Sequence, residues 1–112
     1  MSLASLLATP LRIGRLEIAN RVFLAPMSGV TDEPFRARAV AHGAGLVVAE
    51  MVASGERAKG RRNSALRIRR PDVPVHVVQL AGREAEWMAE GARIAAGEGA
   101  DVIDINMGCP AK

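Results

Sequence analysis

The chain has 112 residues, 49% of them hydrophobic and 24% charged, with one cysteine and a formal net charge of +3. This is enough for one modest domain with a sizeable core, and it excludes a wholly disordered segment. A single thiol excludes an internal disulfide and fits a reducing compartment, the cytoplasm by default. The opening MSLASLLATPL has no basic leader or small-residue cleavage site, and no run approaches bilayer-spanning length, so neither secretion nor membrane insertion is expected.

In chain order, LRIGRLEIANR alternates well enough for a small hairpin turning at Gly14 and Arg15. Four short apolar runs follow: RVFLAPM (21–27), GLVVAEM (45–51), PVHVVQL (74–80) and DVIDINM (101–107). Their lengths and their Val and Ile content fit buried parallel strands, and the intervals are long enough for the crossover helices that parallel strands require. The first crossover opens on Thr31 and Asp32 as N-cap residues, with Pro34 in the first turn, and Gly43 supplies its stop. Phe35, Ala39 and Val40 share one face of it. The second, SGERAKGRRNSALRIRRPD, is broken by glycines and predicts one short helix around 64–69. The third, from about Arg83 to Glu98, carries an apolar stripe of Trp87, Met88, Gly91, Ile94 and Ala95.

A hairpin followed by β-α-β-α-β-α-β leaves two containers, a doubly wound sheet or part of an eightfold barrel. The turn after the first strand reads APMSGVTDEP, without the glycine fingerprint of a dinucleotide site, which favours the barrel. The expected fold class is α/β: a partial TIM (β/α)8 barrel of about the first four parallel strands and three crossover helices, preceded by a small hairpin.

Alternation along DVIDINM puts Val102, Asp104 and Asn106 on one face and Ile103, Ile105 and Met107 on the other. Helices cover the outside of a parallel barrel, so Asp104 and Asn106 should face its axis, as should Val75, Val77 and Gln79. Pro26 and Met27, Glu50, Gln79, and Asn106 with Cys109 then fall at the carboxyl ends of successive strands, where barrel enzymes keep their active sites. Each also has a plain structural use: an amide can satisfy backbone groups, Glu50 can pair with an arginine, and Cys109 can be a small buried apolar residue. Recurrence at four strand ends is what points to a site. His42 and His76 have no partner at ligand spacing, so no metal site is expected.

Charge is unevenly spread. From Glu56 to Arg70 the chain carries Arg57, Lys59, Arg61, Arg62, Arg67, Arg69 and Arg70 against Glu56 alone, which leaves the remainder net acidic. Such a patch can attract a polyanion such as RNA, or it can be a solvated surface segment that keeps the protein soluble.

Four stretches together, LAPMSGVTDEPFR (24–36), AEM (49–51), VQLAG (78–82) and DVIDINMGCPAK (101–112), resemble the bacterial tRNA-dihydrouridine synthases, most closely the B type. The resemblance runs from about Leu11 onward. It implies an FMN-containing barrel that reduces selected uridines in tRNA, with NADPH recharging the flavin. It further implies that Pro26, Met27 and Ser28 lie against the isoalloxazine, that Gln79 hydrogen-bonds its polar edge, and that Asn106 stands between flavin and uracil. Cys109 resembles the family's proton donor, and Arg61 and Arg62 are candidates for tRNA contact. Arg83 and Glu84 depart from the family's frequent Asp-Pro, which weakens a helix cap and leaves the site intact.

An eightfold barrel usually needs about 250 residues. Residues 1–112 are therefore expected to be the N-terminal part of the FMN-binding domain, without the later strands or the C-terminal helical tRNA-binding domain. A chain of this extent is expected to be inactive alone and to self-associate through unpaired edges. Two rival readings are a non-catalytic half-barrel that survives by association and a different FMN-dependent enone or pyrimidine reductase.

Overall fold

The computed structural model describes residues 2–50, 52–53 and 70–108. The crossover expected around 64–69, Arg61, Arg62 and Cys109 lie outside the described residues. The chain begins with a short helix that the sequence reading did not single out, α1 (Leu3–Leu7), whose Ser2 side chain accepts from the Ser5 amide. Arg21 fastens it by donating to Thr9 Oγ1 at 2.9 Å and to the Pro10 carbonyl at 3.1 Å. The hairpin then forms as expected: β1 (Leu11–Ile13) pairs antiparallel with β2 (Leu16–Ile18), and Gly14 supplies the positive φ of 59° that the tight turn needs.

Beyond the hairpin the architecture is α/β with short parallel strands. β3 (Phe23–Leu24) pairs parallel with β4 (Leu46–Val47) across α2 (Glu33–Ala41). β5 (Val52–Ala53), β6 (Val77–Ala81) and β7 (Val102–Ile105) form a parallel sheet, with α3 (Ala85–Gly97) joining the last two. A parallel bridge between Val48 and Val77 continues β4 alongside β6.

The run expected as one strand over 45–51 is thus divided. Val48 stands opposite Val77 and Val52 opposite Leu80, so four residues on one side span three on the other. One extra residue reverses which face the following side chains take, as in a β-bulge. Accordingly Val48 packs with Ile18, Leu46 and Val77, whereas Val52 packs with Val78, Leu80 and Ala95. The first strand is also shorter than RVFLAPM suggests.

Two apolar clusters cover the two faces. Against α3, Val52, Val78, Leu80 and Ala95 are joined by Met88, Ala92 and Ile103, so Ile103 takes the helix-covered face expected for it, while Ile105 and Met107 of the same expected set are exposed. On the other face, Ile18, Leu46, Val48 and Val77 meet Leu11, Ile13, Leu16, Val75 and Val102, so the hairpin closes the amino-terminal ends of the strands. Ile94, expected on the α3 stripe, is exposed, and Glu84 at the N-cap makes no side-chain cap, as its departure from Asp-Pro predicts.

Two fastenings hold this lower end. Asn20 donates to the Gly43 carbonyl at 2.8 Å and accepts from the Val22 amide at 2.9 Å, while the Gly45 amide donates to the Val22 carbonyl at 2.8 Å. A Cβ on Gly45 would collide with both the backbone oxygen and the side chain of Asn20. Gly45→Ala is expected to cost about 1–3 kcal/mol by overpacking, read as a lowered urea midpoint at unchanged slope.

The second fastening is Asp101. Its Oδ2 accepts from Arg70 at 2.7 Å and from the His76 amide at 2.8 Å, and Arg70 also donates to the Gly99 carbonyl at 2.8 Å. Burial pushes the Asp101 carboxyl up, but the His76 amide and the Arg70 guanidinium outweigh it and hold the group below the ordinary aspartate value. A depressed folded pKa gives stability that is present above the unfolded value of about 3.9 and lost as pH falls through the folded one. Asp101→Asn is expected to lower stability at pH 7, and the gap to wild type should close on acidification below about 3.9 in denaturation curves taken across pH.

Candidate functional site

The carboxyl ends of the parallel strands gather the polar side chains. On β6 and β7 the register sets Gln79 opposite Asp104, with Val77 opposite Val102 one step below on the same face. Period-two alternation therefore carries the apolar packing of the foot upward into a polar pair at the mouth. The Asn106 amide continues the ladder to the Leu80 carbonyl at 2.9 Å, which brings its side chain beside Gln79.

These three side chains form one directional chain. Gln79 Nε2 donates to Asp104 Oδ2 at 2.6 Å, Asn106 Nδ2 donates to Gln79 Oε1 at 3.3 Å, and the Gly108 amide donates to Asn106 Oδ1 at 3.0 Å. The 2.6 Å bond is short, as hydrogen bonds to a carboxylate often are. Gln79 and Asn106 are therefore brought together as the sequence predicts, and Asp104 joins them as a partner to which the sequence reading assigned no role.

Pro26, Met27 and Ser28 lie on the loop leaving β3, at the same end of the strands. The loop is a turn folded back on Thr31: its amide donates to the Met27 carbonyl at 3.0 Å, and its hydroxyl accepts from the Met27 amide, also at 3.0 Å. Thr31 is fully buried. The helix cap falls to Asp32 alone, which accepts from the Phe35 amide at 3.0 Å. Met27 and Ser28 are left exposed on the turn and Pro26 half-buried.

Arg36 is the buried residue of α2, at 3% exposure, whereas Phe35 on the expected apolar face is 42% exposed. The guanidinium donates to the Thr31 carbonyl at 2.7 Å, so the arginine holds the same turn from beneath. Burial lowers its pKa, and the nearby carboxylates of Glu33, Glu50 and Asp32 oppose that shift. Glu50, itself buried, thus occupies the strand-end position expected for it and contributes its charge to Arg36. A buried arginine has no sequence marker: of the three acids near it in space, Asp32 and Glu33 are close in sequence and Glu50 is not.

Other regions contribute less. His42 ends α2 with its ring Nδ1 2.9 Å from the Arg38 carbonyl, and His76 is buried just before β6. Among the described residues no cluster of three His, Cys, Asp or Glu could hold a metal ion. A largely apolar hollow of about 320 Å³ opens at the foot, lined among others by Glu17, Asn20, Gly45 and Pro74, at the end remote from Gln79. Of the basic stretch, Arg70 is committed to Asp101 and to backbone carbonyls.

Short parallel strands, a crossover helix packed on one face and hydrogen-bonded amides toward the strands' carboxyl ends define an α/β protein. A family model described as dihydrouridine synthase (Dus) matches residues 23–112, and the chain belongs to that family. It is 62% identical over 97 residues to a probable tRNA-dihydrouridine synthase of Rhizobium leguminosarum bv. phaseoli, covering 87% of this chain and 31% of that protein. It is 47% identical over 103 residues to tRNA-dihydrouridine synthase B of Escherichia coli K12, covering 91% of this chain and 32% of that protein. To the corresponding Pasteurella multocida protein the identity is 44%, again over 103 residues. The chain thus spans about a third of the length of these relatives.

The buried hydrogen bond from Arg36 to the Thr31 carbonyl makes its own prediction. Arg36→Met leaves that carbonyl without its donor and is expected to cost about 1–3 kcal/mol, read as a lowered urea midpoint at unchanged slope.

Proposed function

We propose that residues 1–112 form the N-terminal part of an FMN-binding (β/α)8 barrel that reduces selected uridines of tRNA, with NADPH as reductant. The observation that carries this is the hydrogen-bonded chain Gly108–Asn106–Gln79–Asp104 at the ends of parallel strands, in a member of the dihydrouridine synthase family. Supporting it are the names of the relatives, tRNA-dihydrouridine synthases of B type among them.

The donor set fits a flavin ring. Gln79 and Asn106 are neutral amides with both donor and acceptor atoms, the complement of a heteroaromatic edge that alternates carbonyl oxygens and N–H. Exposed Met27 and half-buried Pro26 offer the apolar contact that a flat ring face needs. In this reading Pro26, Met27 and Ser28 would hold the ring, Gln79 would bind its polar edge, and Asn106 would serve both flavin and uracil. When bound, FMN would supply the hydride that C6 of the uracil receives, its electrons coming from NADPH. Cys109 then holds the proton that C5 receives: a thiol of ordinary pKa, about 8.5, is mostly protonated at neutral pH and suits a donor.

Arg61 and Arg62 contribute phosphate attraction for tRNA in this scheme. The reaction belongs in the cytoplasm, where its substrate resides. Among the described residues no helix is long and apolar enough to cross a membrane. Exposed Val22 and Phe23 by β3, with Ile105 and Met107 by β7, mark the two lateral edges through which the segment meets the rest of a barrel or, without it, a second copy.

The test uses the full polypeptide, with whatever sequence flanks residues 1–112. It should purify with bound FMN and convert uridine to dihydrouridine in tRNA; a colourless protein that leaves tRNA unchanged overturns the reading. Cys109→Ala is expected to lower uridine reduction by about 10²–10⁴-fold in single-turnover assays. Oxidation of NADPH by the bound flavin should persist.

A further inference from the structure

Amide side chains can usually be turned over by half a revolution with little change in shape, exchanging donor for acceptor. In the chain described above neither amide has that freedom. At one end stands a backbone N–H, that of Gly108, which can only donate; at the other stands the carboxylate of Asp104, whose Oδ2 accepts. Between these fixed ends Asn106 must turn Oδ1 toward Gly108 and Nδ2 toward Gln79, and Gln79 must turn Oε1 toward Asn106 and Nε2 toward Asp104. The polarity of the whole chain is thereby set by its terminal members.

We infer that Asp104 is a positioning residue: it fixes the amide of Gln79 so that an acceptor is presented on the Asn106 side and a donor on the Asp104 side, the pattern that reads one N–H and one carbonyl of a cyclic imide edge. This rests on the reading of the mouth as a flavin site. Asp104 has no need to touch the ring, because its effect passes through Gln79. Its position beside Gln79 follows from the register, which sets the two directly opposite each other on neighbouring strands. The same chain reaches Gly108, so the turn that leads to Cys109 takes its anchor from the amide whose orientation Asp104 governs.

Two measurements test this, with Asp104→Leu as the near-isosteric change that removes the acceptor and Asp104→Asn as a milder one. The first is side-chain amide NMR of Gln79 and Asn106, without flavin. Wild type should show two well-separated Gln79 amide protons, one protected from exchange; in Asp104→Leu that protection should fall by about tenfold or more, the loss expected when a hydrogen bond to a charged group is removed. Gln79 resonances unchanged by Asp104→Leu overturn the proposal.

The second is titration of the flavin-free full polypeptide with FMN and with 3-methyl-FMN, which lacks the ring N–H. Wild type should prefer FMN; Asp104→Leu should weaken FMN by about tenfold while leaving 3-methyl-FMN nearly unchanged, so the preference collapses. Asp104→Asn, which keeps an acceptor, should fall between. A preference retained in Asp104→Leu sinks the positioning role and leaves the flavin reading standing. Failure of wild type to bind either flavin removes the flavin reading, and the NMR result then decides alone whether Asp104 orients Gln79.

Discussion

The pairing register of β6 and β7 is the constraint on which the rest depends. With Val77 opposite Val102 and Gln79 opposite Asp104, one face of two neighbouring strands is apolar low down and polar at the top. A slip of one residue would set Gln79 beside Ile103 or Ile105 and turn Asp104 toward α3, into the cluster of Val78, Leu80 and Ala95. That placement would bury a carboxylate among hydrocarbon, at a cost of several kcal/mol, so the apolar packing of α3 enforces the geometry of the polar mouth. Packing and site are here the same requirement seen from opposite faces of the sheet.

The foot of the strands is built to stay shut. The hairpin lays Leu11, Ile13, Leu16 and Ile18 across Leu46, Val48, Val77 and Val102, and Asn20 ties its exit to the loop before β4. Arg70 closes the adjoining side by binding Asp101 together with the carbonyls of Gly99 and Pro74. Ion pair and hydrogen bonds thus lie at the rim of this end, while its interior is hydrocarbon. The mouth has the opposite arrangement, amides and a carboxylate facing inward over that apolar plug, which leaves the carboxyl ends as the polar opening.

Much of this was legible in the sequence because period and spacing carry it. Alternation along DVIDINM told the two faces of β7 apart, Gly14 marked the hairpin turn, and the long stripe of α3 announced a helix against the sheet at Met88 and Ala95. What escaped detection lacks a local signal. The extra residue between Val48 and Val52 falls where apolar residues flank Glu50 on both sides, so period two gives no warning of it. Arg36 reads as a solvated helix residue until its neighbours Glu33 and Glu50 are seen in space. α1 is five residues long, too short for any period to show. Asp104 was placed on the correct face, but its role depends on Gln79, twenty-five residues away, and no spacing rule reaches that far.

The mouth sets two neutral amides beside one carboxylate on the same face of the strands. An amide carries no net charge, yet its donor and acceptor still discriminate edges by direction. Its weakness is rotational ambiguity, since either orientation fills the same space. Asp104 removes that ambiguity from beside Gln79, and the Gly108 amide removes it from the other end. The carboxylate's charge is thereby converted into a fixed orientation of the amide beside it.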